Sequence, residues 1–220
     1  MAFDGGPPRD CAVCPRLAAY RAENRAAFPE WWNGPVPSMG SAEARLLIVG
    51  LAPGLRGANR TGRPFTGDYA GDLLYATLID YGFASGRYDR RPDDGLTLID
   101  CAIANAVRCV PPQNKPTPQE IAACRAYLSG SLGALVRLSV VLALGRVAHE
   151  TILRAIGVRP AAFPFVHGAR HALGRENLVL FDSYHCSRYN TNTGALTEAM
   201  FRDVFAAIRS ELGPAAAAGE

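Results

Sequence analysis

Continuous apolar runs alternate along this chain with segments in which apolar residues recur every three or four positions. A continuous run is typical of a strand that is buried on both faces of a sheet, and the recurring spacing indicates an amphipathic helix. The apolar runs predict strands at 45–51, 96–104, 139–144 and 178–183. The helical spacing predicts helices at 16–27, 68–83, 118–135, 146–156 and about 194–212.

This alternation of strand and helix is typical of a parallel sheet whose crossover connections are right-handed helices. We therefore predict an α/β fold, a three-layer α/β/α sandwich around a central four-stranded parallel sheet. A chain of 220 residues has the size of one domain with a sizeable core. We expect a single domain over 1–220, with frayed ends at about 1–10 and 213–220.

The composition is that of an ordinary globular protein, with a hydrophobic fraction of 49% and a charged fraction of 20%. No apolar run approaches the ~20 residues of a membrane span, and the N-terminus lacks the pattern of a secretory signal. We expect a cytoplasmic monomer that does not contact membranes. Its cysteines are then reduced, and they serve metals or catalysis instead of disulfides.

Arginine supplies almost all of the positive charge, because Lys115 is the single lysine in a chain of net charge +3. The planar guanidinium group matches phosphate geometry, which favours a nucleic-acid ligand. A general compositional bias towards Ala, Arg and Gly is an alternative explanation of the high ratio of arginine to lysine. Composition therefore leaves nucleic-acid binding open.

Three polar loops follow predicted strands directly. The first is glycine-rich and runs from Gly50 to Asp68, the second begins at Asn105, and the third reads YHCSRYNTNTG after Ser183. Ligands of parallel sheets bind beyond the carboxyl ends of the strands. We therefore expect these loops to form one site.

The glycine loop lets backbone approach a ligand closely, and its amides are suited to an anion. It is neither a GK[ST] phosphate loop nor a GxGxxG loop. Asp68 ends the loop near a helix start, where a carboxylate is electrostatically favoured. Its role is therefore either simple helix capping or chemistry in the site.

The other two loops supply amides and an imidazole. Asn105 and Asn114 each offer a donor and an acceptor for a base edge, although turn formation also explains an asparagine, Asn114 in particular. His185 follows a buried strand into a polar loop, where it is able to act as an acid, a base or an oxyanion donor. Of the other histidines, His149 lies within a predicted helix and is interpreted as structural, and the segment HGARH contributes two more without a clear role.

Four of the six cysteines have the spacing of a metal site: Cys11 and Cys14 in CAVC, then Cys109 and Cys124. Four thiolates satisfy either a tetrahedral Zn²⁺ or the corners of a [4Fe–4S] cluster. The alternative is that some of them are buried apolar thiols.

Together these segments resemble the uracil-DNA glycosylase superfamily, and within it the iron–sulfur members of family five. GLAPG followed by NRTGRPFTGD resembles the first motif, NAVRC-VPPQNKPTP-C with CxxC upstream resembles the cluster-binding pattern, and SYHCSRYNTNTG resembles the third motif. The resemblance runs from Cys11 to about Leu196. It implies a DNA repair enzyme, nucleoid-associated in a prokaryote, that flips a deaminated base from double-stranded DNA and hydrolyses its N-glycosidic bond.

The resemblance also implies roles for individual residues. The catalytic residues are Asp68, Asn114 and His185; the residues that bind the base are Gly50, Ala52, Phe65 and Asn105; the residues that contact DNA are Arg56, Arg63, Ser187 and Arg188. The [4Fe–4S] ligands are Cys11, Cys14, Cys109 and Cys124, which leaves Cys101 and Cys186 as free thiols. Hypoxanthine is an expected substrate beside uracil.

Two motifs depart from the usual pattern of the superfamily. Leu51 and Ala52 stand where most members carry a polar residue, a feature of family five, and Cys186 replaces a proline. Three other interpretations remain: a family-four-like enzyme strict for uracil, a non-catalytic iron–sulfur DNA-binding protein, and a zinc-stabilised phosphate-binding protein.

Overall fold

The computed structural model describes residues 5–174 and 177–213 of the chain. Its strands, in chain order, are β1 (Met39–Gly40), β2 (Leu46–Gly50), β3 (Ala84–Ser85), β4 (Thr97–Leu98), β5 (Cys101–Asn105), β6 (Val140–Leu144), β7 (Arg170–Ala172) and β8 (Val179–Ser183). Its α-helices are α1 (Pro15–Ala27), α2 (Ala58–Thr61), α3 (Tyr69–Asp80), α4 (Pro118–Ala134), α5 (Arg146–Ala155), α6 (Arg188–Asn192) and α7 (Glu198–Leu212). None of the described helices is long and apolar enough to cross a membrane.

The central sheet has the order β1-β5-β2-β6-β8-β7. Its four middle strands are parallel, and their carboxyl ends lie side by side: Gly50 is in register with Asn105, and Leu144 with Ser183. This alignment brings the three polar loops to one edge of the sheet, as the sequence predicts.

Two antiparallel edge strands, β1 and β7, make the sheet six-stranded, so the predicted count of four is wrong. These strands have two and three residues, too few to show a hydrophobic period. The predicted strand at 96–104 is also divided, because Asp100 has a left-handed backbone with φ of 53° between β4 and β5. The prediction that a layer of helices covers each face of the sheet is not affected by these differences.

Alternate residues of β2 point to opposite layers of helices. Leu46 and Ile48 pack with the buried faces of α3 and α7. Leu47 and Val49 pack with those of α4 and α5. The three-layer α/β/α sandwich is thereby confirmed.

The helix termini follow local signals in the sequence. Thr117 and Glu120 form a capping box at the start of α4, with Pro118 in the first turn. The last predicted helix begins later than expected, at Glu198, because Gly194 has a positive φ and Thr197 caps the start of α7. The short helix α6, which precedes the predicted range, was not predicted. At the N-terminal end, the Arg9 guanidinium donates to the Trp32 carbonyl at 2.7 Å, so the chain is already fixed to the domain there; residues 1–4 and 214–220 lie outside the described residues.

Candidate active site

A cavity of about 530 Å³ opens at the carboxyl edge of the sheet, between the loops that follow β2, β5 and β8. Eight of the eleven residues predicted to bind DNA or act on it line this cavity: Ala52, Phe65, Asp68, Asn105, Asn114, His185, Ser187 and Arg188. The predicted convergence of the three loops is therefore real.

Asp68 uses its two carboxylate oxygens differently. As the N-cap of α3, it accepts a hydrogen bond on Oδ1 from the Gly71 amide at 3.3 Å. Its Oδ2 lies against the glycine loop, where a Cβ built on Gly57 would be 2.3 Å away. Burial raises the pKa of Asp68. The carboxylate therefore caps α3 and also lines the cavity.

Phe65 is held in a left-handed backbone conformation with φ of 51°, which is unusual for a bulky residue. The Tyr88 hydroxyl donates to the Phe65 carbonyl at 3.1 Å, and a Cβ on Gly71 would be 1.8 Å from that oxygen. The ring reaches Gly50, where an added Cβ would be 2.5 Å from Phe65 Cζ. Gly50 thus leaves room for the aromatic wall of the cavity and does not itself line it.

The two predicted amides lie at different depths. Asn105 is buried at the end of β5, and its Oδ1 would be 2.7 Å from a Cβ on Gly50. Asn114 is exposed at the rim, in a 3₁₀ turn, with φ of 57°. Asn114 therefore adopts a turn conformation and also lines the cavity.

His185 presents its ring beside the Phe65 ring, with centroids 6.0 Å apart and planes inclined by 28°. Its backbone carbonyl accepts from Asn190 Nδ2 at 2.8 Å, which fixes the turn into α6. Burial lowers the pKa of His185 to about 4, so the imidazole is neutral at pH 7. A neutral imidazole donates one hydrogen bond and accepts another.

The third loop also supplies the opposite rim. Ser187 caps α6, because its side-chain Oγ accepts a hydrogen bond from the backbone N–H of Asn190 at 3.4 Å. The Arg188 guanidinium lies 5.3 Å from the centre of the Tyr69 ring. Tyr69 lines the cavity and is 36% exposed. The sequence did not identify it, although an exposed aromatic residue directly after the helix cap was an available signal.

The two remaining arginines have different environments. Arg56 is exposed on the glycine loop. Arg63 is buried, with two 2.7 Å hydrogen bonds to the Asp94 carboxylate and a third to Thr66. The prediction that Arg63 contacts DNA is therefore wrong, because its donors are used inside the protein.

His149 lies within helix α5, as the sequence predicts. It is buried and lies 2.7 Å from Asp182 Oδ1 through Nδ1 and 2.8 Å from the Phe163 carbonyl through Nε2. His171 Nε2 is 2.9 Å from the other Asp182 oxygen. Nothing in the sequence indicated this hydrogen-bonded group, because the partner carboxylate lies on β8.

The four predicted ligand cysteines line a second, small cavity between α1, the loop after β5 and α4. The Arg108 amide donates to Cys124 Sγ at 3.4 Å, and Arg21 Nη1 lies 3.6 Å from Cys109 Sγ. All six cysteines are free thiols, and Cys101 and Cys186 lie elsewhere in the core. The sulfur-rich cavity therefore has the members that the spacing predicts.

An α/β sandwich with a carboxylate, two amides and a neutral imidazole around one cavity has the arrangement of an enzyme with its active site at the edge of the sheet. The Uracil DNA glycosylase superfamily matches residues 37–209, and the chain belongs to this superfamily. Its enzyme class is that of a DNA N-glycosylase, a hydrolase of N-glycosidic bonds.

Curated relatives support the same placement. The chain is 48% identical over 201 residues to a type-5 uracil-DNA glycosylase of Thermus thermophilus, covering 88% of this chain and 90% of the relative. It is 38% identical over 208 residues to a type-5 enzyme of Pyrobaculum aerophilum, covering 93% and 90%. A type-4 uracil-DNA glycosylase of Archaeoglobus fulgidus is 34% identical over 141 residues, covering 64% and 63%.

Proposed function

We propose that this protein removes uracil, and also hypoxanthine, from double-stranded DNA by hydrolysing the N-glycosidic bond, which leaves an abasic site. The observation that carries the proposal is the meeting of Asp68, Asn105 and His185 at one cavity. Family membership and the type-5 relatives support uracil as a substrate.

The target bond is inaccessible in stacked DNA, so the nucleotide has to leave the helix and enter the cavity. Flipping costs a few kcal/mol, and least for a mispaired or damaged base. A cavity of about 530 Å³ has room for one nucleobase. The Phe65 ring supplies an apolar face against which the flipped base stacks.

In the reaction, the bond between C1′ and the base nitrogen breaks, and both electrons leave on the base. The neutral imidazole of His185 donates a hydrogen bond to the oxyanion that develops on the base. The ionised Asp68 carboxylate stabilises the positive charge on the sugar or positions the water. The water oxygen then bonds to C1′, its proton passes to the carboxylate or solvent, and the base anion is protonated by solvent.

Selectivity rests on few hydrogen bonds. Leu51 and Ala52 give the cavity an apolar side, and the amides of Asn105 and Asn114 face it from the floor and the rim. An apolar wall discriminates between similar ligands by only about 10²-fold. This supports acceptance of hypoxanthine and argues against an enzyme strict for uracil.

Contacts with DNA outside the flipped base come from exposed groups at the rim. Arg56, Ser187 and Arg188 are assigned to phosphates, since guanidinium and hydroxyl groups both donate to phosphate oxygens. Retention of Asp68 and His185 at one cavity argues against a non-catalytic DNA-binding protein.

We further propose that Cys11, Cys14, Cys109 and Cys124 bind a [4Fe–4S] cluster. The fit rests on the donor set, because four soft thiols surround one small cavity. Burial raises the pKa of the Cys109 thiol to about 11, so binding of the cluster would have to release this proton.

The spacing of the sulfurs favours the cluster over zinc. A tetrahedral Zn²⁺ with bonds of about 2.3 Å requires sulfurs about 3.8 Å apart. Among the described residues, one group of three or more His, Cys, Asp or Glu ligand atoms lies within 4.8 Å, and it contains no cysteine. A cluster separates its ligand sulfurs further, because several iron atoms lie between them. The cluster would join the N-terminal segment to the loop after β5 and serve stability.

The test is incubation of the purified protein with duplexes that carry one uracil or one hypoxanthine, followed by detection of abasic sites. We expect excision of both, and faster excision of uracil opposite guanine than opposite adenine, since the mispair opens more easily. His185→Ala, checked for folding, is the matched control. Excision of uracil alone at high enzyme concentration would contradict the broad specificity, and no abasic sites with any duplex would contradict the function.

A further inference from the structure

We infer that a groove beside the catalytic cavity binds the phosphate backbone of the DNA that flanks the lesion; the choice of DNA as ligand rests on the proposed function. The groove has a volume of about 690 Å³. Its walls contain two indole rings, one carboxylate, that of Glu30, and four arginines: Arg9, Arg60, Arg90 and Arg91. It shares none of its lining residues with the catalytic cavity.

Arg60 connects the groove with the cavity. The short helix α2 presents Ala58 to the cavity and Arg60 to the groove. A Cβ built on Gly67 would be 2.9 Å from Arg60 Nη2, and Gly67 directly precedes Asp68. A strand whose flipped nucleotide occupies the cavity therefore has phosphates within reach of this guanidinium.

Two of the four arginines of the groove, Arg9 and Arg60, are not neutralised by a nearby carboxylate of the described residues. Within residues 5–174 and 177–213, no carboxylate forms an ion pair with Arg9 or Arg60, and Arg91 has only long contacts of 3.9 and 4.0 Å. Arg90 is different, because Asp72 binds its guanidinium at 2.7 Å. Arg9 and Arg60 thus leave two positive charges beside the one acidic lining residue, Glu30, and the weakly paired Arg91 adds to them, which favours a polyanion over an apolar partner.

The groove is also built into the fold. The Arg9 guanidinium lies 4.5 Å from the centre of the Trp32 ring and donates to the Trp32 carbonyl at 2.7 Å. The Trp32 amide donates to the Arg60 carbonyl at 3.0 Å, and its indole Nε1 donates to Pro35. Trp32 therefore holds the Arg9 guanidinium and the backbone of Arg60 at the same groove, so the ordering of the Arg9 side chain does not have to be gained on binding.

Salt dependence of DNA binding tests this inference without using catalysis. Binding of an undamaged 30-base-pair duplex is measured by fluorescence anisotropy over a series of KCl concentrations. Each phosphate contact adds about 0.9 to the slope of log affinity against log salt concentration. We expect Arg60→Gln to lower this slope by about 0.9, and Arg60→Gln combined with Arg91→Gln to lower it by about twice that amount.

Arg137→Gln is the matched control, since Arg137 is exposed before β6, at the opposite end of the sheet. It removes the same charge and should leave the slope unchanged. Thermal unfolding confirms that the variants are folded. An unchanged slope in the double variant would overturn the inference. A decrease in Arg137→Gln as large as that in Arg60→Gln would also overturn it, because the slope would then report net charge alone.

Failure of the groove assignment is distinguishable from failure of the proposed function. A wild-type protein that binds duplex through the groove but excises no base would contradict the function and leave the groove assignment intact. A wild-type protein that excises the base, together with a salt slope that the groove substitutions do not change, would contradict the groove assignment and leave the function intact.

Discussion

Gly57 lies so close to Asp68 that a Cβ at this glycine would be 2.3 Å from the carboxylate oxygen Oδ2. The same oxygen would be 3.0 Å from a Cβ on Gly54. The glycine loop therefore acts as a wall that fits the carboxylate, and its lack of side chains decides where the charge is held.

Gly57→Ala should displace the Asp68 carboxylate and lower the excision rate about as much as Asp68→Asn, although Gly57 itself carries no reactive group. Overpacking of this kind costs about 1–3 kcal/mol of stability. Single-turnover rates and thermal unfolding measure the two effects. Gly130→Ala in α4 is the control, since its Cβ meets open space and should raise stability by up to about 1 kcal/mol. A fully active Gly57→Ala variant would show that the wall is not needed.

His185→Ala and Asp68→Asn should separate the two charges of the reaction. Loss of one oxyanion donor typically costs about 10²–10³ in rate, and we expect this loss for His185→Ala while DNA binding is retained. If the N-glycosidic bond breaks before water attacks, Asp68→Asn should lose less of the excision rate than His185→Ala. Single-turnover rates on one uracil duplex decide the order. Near wild-type rates in both variants would move the catalytic role to Asn105 and Asn114.

Asp68→Asn should also change stability with a defined sign. Because burial raises the pKa of Asp68 in the folded protein, the folded state binds this proton more tightly than the unfolded chain does. Wild type therefore loses stability relative to the variant as the pH rises from about 4, the ordinary value, through the raised pKa. Asparagine keeps an acceptor for the Gly71 amide. Denaturation of both proteins at pH 4 and pH 7 measures this difference; a variant that is relatively less stable at pH 7 would contradict it.

The pH profile of the single-turnover rate should show one acid limb. Protonation of Asp68 removes the charge that faces the sugar, and its raised pKa places this limb above the usual aspartate range. Burial lowers the pKa of His185 to about 4, so this histidine does not titrate between pH 5 and 8. Asp68→Asn should lose the acid limb, whereas an inflection near pH 6.5 that disappears in His185→Ala would contradict the neutral-imidazole assignment.

Cys109→Ser should remove a cluster ligand. We expect less bound iron, weaker absorbance near ~400 nm and a lower melting temperature, with a smaller change in the excision rate per folded molecule. Cys101→Ala is the control, because Cys101 is buried in β5, away from the sulfur-rich cavity. Anaerobically purified wild type without iron would contradict the cluster proposal directly.

Arg63→Gln should act on stability and not on DNA binding. Its guanidinium makes two 2.7 Å hydrogen bonds to Asp94, whose side chain is fully buried, and removal of one partner leaves a buried charge unpaired at a cost of about 3 kcal/mol. Burial opposes ionisation of Asp94, but the hydrogen bonds from Arg63 and from the backbone amides of Asp89 and Leu96 together outweigh it and lower the pKa of Asp94. The contribution of the pair is therefore present at neutral pH and lost on acidification. Arg56→Gln, at an exposed site, should leave stability unchanged; the opposite pattern would restore Arg63 to the DNA interface.

Much of the site was predictable because its residues follow strands. A parallel sheet aligns the carboxyl ends of its strands, so residues directly after β2, β5 and β8 had to meet. Asn105 and His185 could therefore be placed together from their positions along the chain, whereas Asp68 could be assigned only to the far end of the loop after β2. The pattern of strands and helices was equally clear wherever an element was long enough to show its period.

Shorter features escaped prediction for a physical reason. Strands β1 and β7 are too brief for a hydrophobic period, and α6 has only five residues. The role of Tyr69 depends on which way the first turn of α3 faces, which the alternation of residue types does not specify.

The sequence by itself determined the layered fold, the edge that carries the site and the four-cysteine set, since each follows from local spacing. Only the tertiary structure decided which of two neighbouring arginines is free, Arg56 or Arg63, because the answer depends on Asp94, a residue 31 positions away. It likewise decided that Gly57 confines Asp68. Contacts between distant segments depend on how surfaces pack, and spacing along the chain carries no record of that.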